Sequence, residues 1–273
     1  MPIDSSEFAI LQGLVSKHAA IVLDTGKEYL AESRLTPVAR TAGCASVAEL
    51  LRRVHDDPRS PLVGRVVEAM TTNETSFFRD MHPFEALRTT IIPELMRARA
   101  NERSLNLWCA AASSGQEPYT VAMTLLEHFP QLQQWKLRFV ASDIAPAMLA
   151  RCREGRYSQL EVNRGLPAKY LVKYFDKAGA EWQLKPQVRS MIEFVEVNLA
   201  RPFPAWPQMD IVFMRNVLIY FSLETKRDIL RRVRKQMRPD GWFFLGGSES
   251  TLNVDDKWTR VQLDKTSVYR PVP

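Results

Sequence analysis

Ile211-Val212-Phe213-Met214-Arg215-Asn216-Val217-Leu218-Ile219-Tyr220-Phe221 passes from an unbroken apolar run into a polar turn just ahead of a long helical pattern. A short apolar run reads as a buried strand, and polar residues at its carboxyl end are where an open α/β sheet places ligand chemistry. Two earlier segments repeat the placement. Leu105–Trp108 runs into Cys109-Ala110-Ala111-Ala112-Ser113-Ser114-Gly115-Gln116-Glu117-Pro118-Tyr119, and Leu137–Val140 runs into Ala141-Ser142-Asp143. Three strand ends are therefore expected to converge on one crevice.

Outward from these segments, strands alternate with helices at Glu117–Phe129, Pro146–Cys152 and Leu223–Met237, a pattern that predicts a parallel sheet. Further strands are expected at Ile192–Val197, Gly241–Leu245 and Thr266–Arg270, the last two as an antiparallel edge pair. Between about 157 and 191 the alternation breaks into a short helix, Pro167–Phe175, and two strand-like stretches, Trp182–Leu184 and Gln187–Arg189, an excursion from the main sheet. Ahead of the sheet, Glu7 to Met70 is helical in pattern, with Phe8, Leu11, Leu14 and Val15 on one stripe and Leu50, Leu51 and Val54 on another. The expected organisation is a helical domain over 1–72, a linker and connecting helix (Pro83–Arg99) over 73–100, and a sheet domain over 101–273.

The 273 residues are 45% hydrophobic, enough for a sizeable core. No run approaches the roughly 20 apolar residues of a membrane span. The start Met1-Pro2-Ile3-Asp4-Ser5 lacks the basic-then-apolar order of a secretory signal, so a cytoplasmic location is expected. Cys44, Cys109 and Cys152 include no CxxC pair and cannot all be paired, which indicates neither a zinc site nor a disulfide framework. The formal charge of +6 is spread among both signs and selects no partner.

Several segments carry two readings each. Ser113–Pro118 is either a small-residue turn that lets a nucleotide approach the backbone, or a helix start with Glu117 favoured by the dipole and Pro118 tolerated in the first turn. It has neither GxGxxG nor a Walker lysine. Asp143 is either an acceptor for ribose hydroxyls or a cap for the helix at Pro146. Two carboxylates at adjacent strand ends suit a cofactor with a ribose and a positive charge, as S-adenosylmethionine has, better than a phosphate-rich nucleotide. Thr71–Asp80 is either a ligand segment at the domain junction or a linker packed by Phe77 and Phe78. Lys226, Arg227, Arg231, Arg232, Arg234, Lys235 and Arg238 read as a solvated helix face, without the interleaved aromatics of a nucleic-acid site.

Over nearly its whole length the chain resembles the chemotaxis receptor glutamate methyltransferases (CheR type). The resemblance rests on Asn73–Arg79, Ser113–Tyr119, Ser142-Asp143-Ile144, Asn198-Leu199 and Arg215–Phe221, in that order. It implies an α/β fold: a class I S-adenosylmethionine-dependent methyltransferase (Rossmann-like) domain with a small inserted antiparallel β subdomain, preceded by an all-helical amino-terminal domain. Carried over, Asn73, Thr75, Arg79, Glu117, Asp143, Asn198, Leu199, Asn216 and Val217 would line the cofactor site, and Arg79 and Tyr220 would stand nearest the transferred methyl group. Ala111-Ala112 replaces a frequent Gly-Cys and Gln116 a frequent Glu, while the acidic Glu117 is kept.

The implied reaction esterifies receptor glutamates with the sulfonium methyl of S-adenosylmethionine, leaving S-adenosylhomocysteine. The implied partner is the cytoplasmic helical domain of methyl-accepting chemotaxis receptors, with no nucleic acid and no membrane insertion. Receptor methylation helices are acidic by resemblance, and Arg34, Arg40, Arg52 and Arg53 are candidates to steer them, although Glu28, Glu32 and Glu49 offset their charge. In some members the β subdomain takes a receptor carboxyl-terminal peptide as an extra strand; the short connection Asp176–Glu181 here predicts no such tether. A non-catalytic S-adenosylmethionine-binding scaffold is the alternative, and the presence of both Arg79 and Tyr220 stands against it. A nucleic-acid methyltransferase would carry a Pro-Cys nucleophile or an Asp/Asn-Pro-Pro-Tyr/Phe string, and neither occurs.

Overall fold

The computed structural model describes residues 3–272. Its packing divides into two units: one ends at Thr72 and also takes in Tyr220–Lys226, and the other comprises Asn73–Ile219 with Arg227–Pro273.

The first unit is helical: α1 Ser5–Ala19, α2 Glu28–Thr41, α3 Val47–Asp56 and α4 Pro61–Met70. Local chemistry sets the starts. Asp4 and Glu7 form a capping box on α1, the Ser46 hydroxyl accepts the Glu49 N–H on α3, and Pro61 occupies the first turn of α4. Phe8, Leu11, Val15, Leu35, Leu50, Leu51 and Val54 form the buried face, with Leu14 only half-buried at its margin. Of the proposed steering arginines, Arg34 donates to the carbonyls of Met70 and Thr71 (both 3.0 Å) and so caps α4. Arg52 pairs with Glu7 and Arg53 with Glu49. Three of the four candidates are thus already engaged inside the unit.

The second unit opens with α5 His82–Ala86 and α6 Ile92–Ala98, joined by a π-helical turn, Leu87–Ile91. The expected single helix over Pro83–Arg99 is interrupted because Pro93 has no N–H and its ring would meet the carbonyl four residues back; the wider turn relieves this, with the Ile92 N–H reaching the Leu87 carbonyl. Next come β1 Ser104–Ala110, α7 Gln116–His128, β2 Lys136–Asp143 and α8 Pro146–Glu154. The excursion holds β3 Arg156–Ser158, α9 Gln159–Asn163, α10 Ala168–Tyr174, β4 Phe175–Ala178, β5 Glu181–Leu184 and α11 Pro186–Arg189. Gln187–Arg189 is a helical turn rather than a strand, since Pro186 at its first position presets a helical φ. Finally come β6 Glu193–Glu196, β7 Met209–Met214, α12 Leu223–Gln236, β8 Met237–Leu245, β9 Trp258–Leu263 and β10 Thr266–Pro271. Met237 and Arg238, read above as helical, begin β8.

The main sheet has the order β6-β2-β1-β7-β8-β10-β9; β6, β2, β1, β7 and β8 run parallel, and β10 is antiparallel to both its neighbours. The strand β9 outside β10 was not expected. Its alternating Trp258-Thr259-Arg260-Val261-Gln262-Leu263 buries only Trp258 fully, so it carries little of the apolar signal of a strand. The excursion is a separate three-stranded antiparallel sheet, β3-β5-β4. This is the class I S-adenosylmethionine-dependent methyltransferase architecture with a small antiparallel insert. β1 lies between β2 and β7, so the three chemistry-bearing strand ends emerge side by side.

Candidate active site

Two of those strands end in left-handed backbone. Ala111 (φ 55°), Ser113 (φ 52°) and Gly115 (φ 96°) follow β1, Asn216 (φ 58°) follows β7, and Phe78, Asp80 and Met81 are also left-handed. Such backbone is uncommon for residues other than glycine, asparagine least so, and where it is strained the strain gathers at functional sites. The enforcing contacts are visible. The Ser113 N–H donates to Asp143 Oδ2 at 2.8 Å and its hydroxyl to the Asn73 carbonyl at 2.7 Å. Tyr157, from the small sheet, donates to the Ser114 carbonyl at 2.7 Å, and Cys152 lies 3.1 Å from the Ser113 carbonyl. A Cβ on Gly115 would sit 3.0 Å from the Tyr157 hydroxyl and 3.1 Å from Cys152 Sγ, so only glycine fits the turn.

Beside this turn, Glu117 in the first turn of α7 accepts from Arg215 at 2.7 Å, and the same guanidinium reaches Asp80 at 2.6 Å and the Arg79 carbonyl at 3.1 Å. The Arg215 side chain is only 2% exposed and lies over the Phe84 ring. Burial pushes the Glu117 carboxyl above the usual range, and Arg215 pulls against that shift. Arg215 uses Oε2; among the described residues no donor reaches Oε1, and the side chain keeps 13% exposure. One oxygen of a buried carboxylate is thereby left for a ligand's donors.

The other expected residues are placed as follows. Asp143 is buried, and its Oδ1 accepts the Ala145 N–H at 2.9 Å, an Asx turn leading into α8. Asn198 Oδ1 accepts the Ala200 N–H just past β6, and the buried Leu199 gives its carbonyl to Arg232. Asn216 and Val217 are half-buried after β7; Thr75 and Arg79 are half-buried beyond Asn73. The Phe78 N–H donates to the Thr120 hydroxyl, docking the 73–79 segment on α7. Tyr220 belongs to the helical unit, where its carbonyl accepts the Val22 N–H at 2.9 Å. Of the basic face on α12, Arg231 and Arg232 pair with Asp228, and Arg232 also binds the Leu199 and Arg201 carbonyls.

A family model described as CheR methyltransferase, SAM binding domain, matches residues 73–267, and one described as CheR methyltransferase, all-alpha domain, matches residues 6–71. The chain belongs to the CheR methyltransferase family. It is 41% identical to a chemotaxis protein methyltransferase (Cher2) of Pseudomonas putida, over 97% of each chain. It is likewise 41% identical to chemotaxis protein methyltransferase 1 of Pseudomonas aeruginosa, over 97% of this chain and 98% of the relative. A chemotaxis protein methyltransferase of Vibrio parahaemolyticus is 37% identical over 98% of each.

For this CheR family member, the donor set fits S-adenosylmethionine. Acidic and amide side chains stand at the strand ends, the turn after β1 is without a lysine, and Glu117 retains an open oxygen. Sequence reading passed over Arg215, although it quoted the residue, because an arginine after a strand looks the same whether it is solvated or buried. It also passed over Tyr157 and Glu249, whose roles arise only from long-range contacts.

A carboxyl held above its usual range has a defined pH signature. The folded protein keeps a proton on Glu117 that the unfolded chain has released, so between the two pKa values the empty protein loses stability as pH rises. Hydroxyl donors of a ligand favour the ionised form. Calorimetric titration with S-adenosylhomocysteine should therefore show affinity falling on acidification at a pH above the ordinary carboxylate range. Glu117→Gln should flatten that dependence; an unchanged profile in the variant would remove Glu117 from the site.

Proposed function

We propose that the protein methylates glutamate side chains of methyl-accepting chemotaxis receptors, forming glutamyl methyl esters in sensory adaptation. The observation that carries this reading is the whole-length relation to chemotaxis protein methyltransferases, together with the buried, strained strand-end crevice around Glu117 and Asp143. S-adenosylmethionine, when bound, supplies an electrophilic sulfonium methyl group. Asn73, Thr75, Arg79, Glu117, Asp143, Asn198, Leu199, Asn216 and Val217 are the proposed cofactor contacts, with Glu117 and Asp143 accepting hydrogen bonds. An acceptor glutamate with an ordinary pKa of about 4.3 is already ionised at neutral pH, so no general base is required. The protein's task is alignment and exclusion of water, and Arg79 and Tyr220 are assigned to orienting the acceptor. A strong ion pair to the attacking oxygen would hold back the nucleophile.

The proposed partner surface is the helical cytoplasmic part of the receptor. The test is mass-spectrometric mapping after incubation with S-adenosylmethionine and receptor cytoplasmic domains. Methyl groups on glutamates, lost when those glutamates are replaced by alanine, support the proposal; methylation confined to lysine or to nucleic acid contradicts it.

A further inference from the structure

β7 and β8 are parallel neighbours in register at Met214 and Leu245, so the chain leaves the sheet at two adjacent points with backbone N–H groups that no strand satisfies. One carboxylate gathers them. Glu249 Oε2 accepts from Asn216 N–H at 2.6 Å and from Gly246 N–H at 2.7 Å, and Oε1 accepts from Ile219 N–H at 3.3 Å. The Glu249 N–H in turn donates to the Gly246 carbonyl at 2.9 Å, closing a tight turn. Asn216 is held left-handed at φ 58° in this clasp. A Cβ at Gly246 would lie 2.6 Å from Asn216 Nδ2 and 2.8 Å from Glu249 Oε2, so a side chain there would displace both groups of the clasp. Arg215, Gly246 and Glu249 together line a cavity of about 430 Å³.

We infer that Glu249 is a positioning residue that sets the backbone of Asn216 and the following turn for cofactor binding. The inference rests on the reading above that Asn216 contacts the cofactor. Charge-assisted hydrogen bonds to backbone N–H groups are the strong ones, and two short bonds on one oxygen fix two loops against each other. A clasp that only held the sheet together would serve as well at the opposite ends of the strands, where buried Arg99 already pairs with buried Asp210 and with the half-exposed Asp240.

The test compares S-adenosylhomocysteine affinity by calorimetry with thermal stability in wild type, Glu249→Gln, Glu249→Ala, Gly246→Ala and Asp240→Asn. Glu249→Ala should weaken affinity about tenfold or more, since hydrogen bonds to a charged acceptor are lost. Glu249→Gln should recover most of it, because its carbonyl oxygen can still accept from Asn216 and Gly246. Asp240→Asn should lower Tm without moving Kd. Wild-type affinity in Glu249→Ala, or affinity that tracks Tm across all the variants including Asp240→Asn, would overturn the inference. If Glu249→Ala does not fold, Glu249→Gln and Gly246→Ala decide it: Gly246→Ala should bind at least as weakly as expected for the alanine variant, and unchanged affinity there overturns the inference. Wild type that binds S-adenosylhomocysteine but never methylates receptors would count against the proposed function alone.

Discussion

Arg215→Met should lower the unfolding free energy by about 3–5 kcal/mol, the loss typical when one partner of a buried ion pair is removed and the other charge is left behind. Methionine fills much of the same volume, so the effect is electrostatic rather than a cavity. What remains is Glu117, 13% exposed and already pushed upward by burial, without the guanidinium that offsets it. Asp80, half exposed, loses less, and the Arg79 carbonyl loses its hydrogen bond from the guanidinium. The penalty should shrink as pH falls and Glu117 takes up a proton, because the uncompensated charge then disappears. In urea unfolding, Glu117→Gln combined with Arg215→Met should be less destabilised than Arg215→Met alone, a coupling of the kind contacting charges show. A loss below about 1 kcal/mol would place the pair among solvent-screened ion pairs and not in the core of the site.

Arg79→Ala should cut turnover about a hundredfold, far more than it weakens S-adenosylhomocysteine binding, the pattern expected when a group that orients the reacting atoms is lost. The separation follows from how the residue is held. Its carbonyl is the group Arg215 grips, while its guanidinium donates to the Glu74 carbonyl at a long 3.4 Å. Truncation to alanine therefore leaves the 73–79 segment docked through Phe78 and Ser113. Tyr220→Phe should behave in the same direction, through loss of one hydroxyl. Comparable losses in turnover and in affinity would contradict the assignment of both residues to orienting the acceptor.

The main sheet was readable because its parallel strands are buried on both faces and appear as apolar runs, as in Ile211–Met214, each followed by a polar turn. The crevice was readable for the same reason: chemistry in such sheets gathers at strand ends, and Glu117 and Asp143 stand there. The features that escaped are those whose cause lies far along the chain. The π turn at Leu87–Ile91 answers to one proline, and α11 to another. β9 is an edge strand with few buried side chains. Nor does sequence show that Arg34, a candidate for steering, is turned onto the end of α4. Arg215, Tyr157 and Glu249 act through partners as far as 136, 43 and 33 positions away respectively, beyond the reach of any local pattern.

Transfer of labelled methyl from S-adenosylmethionine to membranes containing chemoreceptors, followed by mild base, addresses the central claim most directly. Receptor methylation on carboxylates predicts label on the receptor that base releases as methanol, reduced strongly in Arg79→Ala. Label that resists base, or tight cofactor binding with no transfer to any receptor supplied, would contradict it.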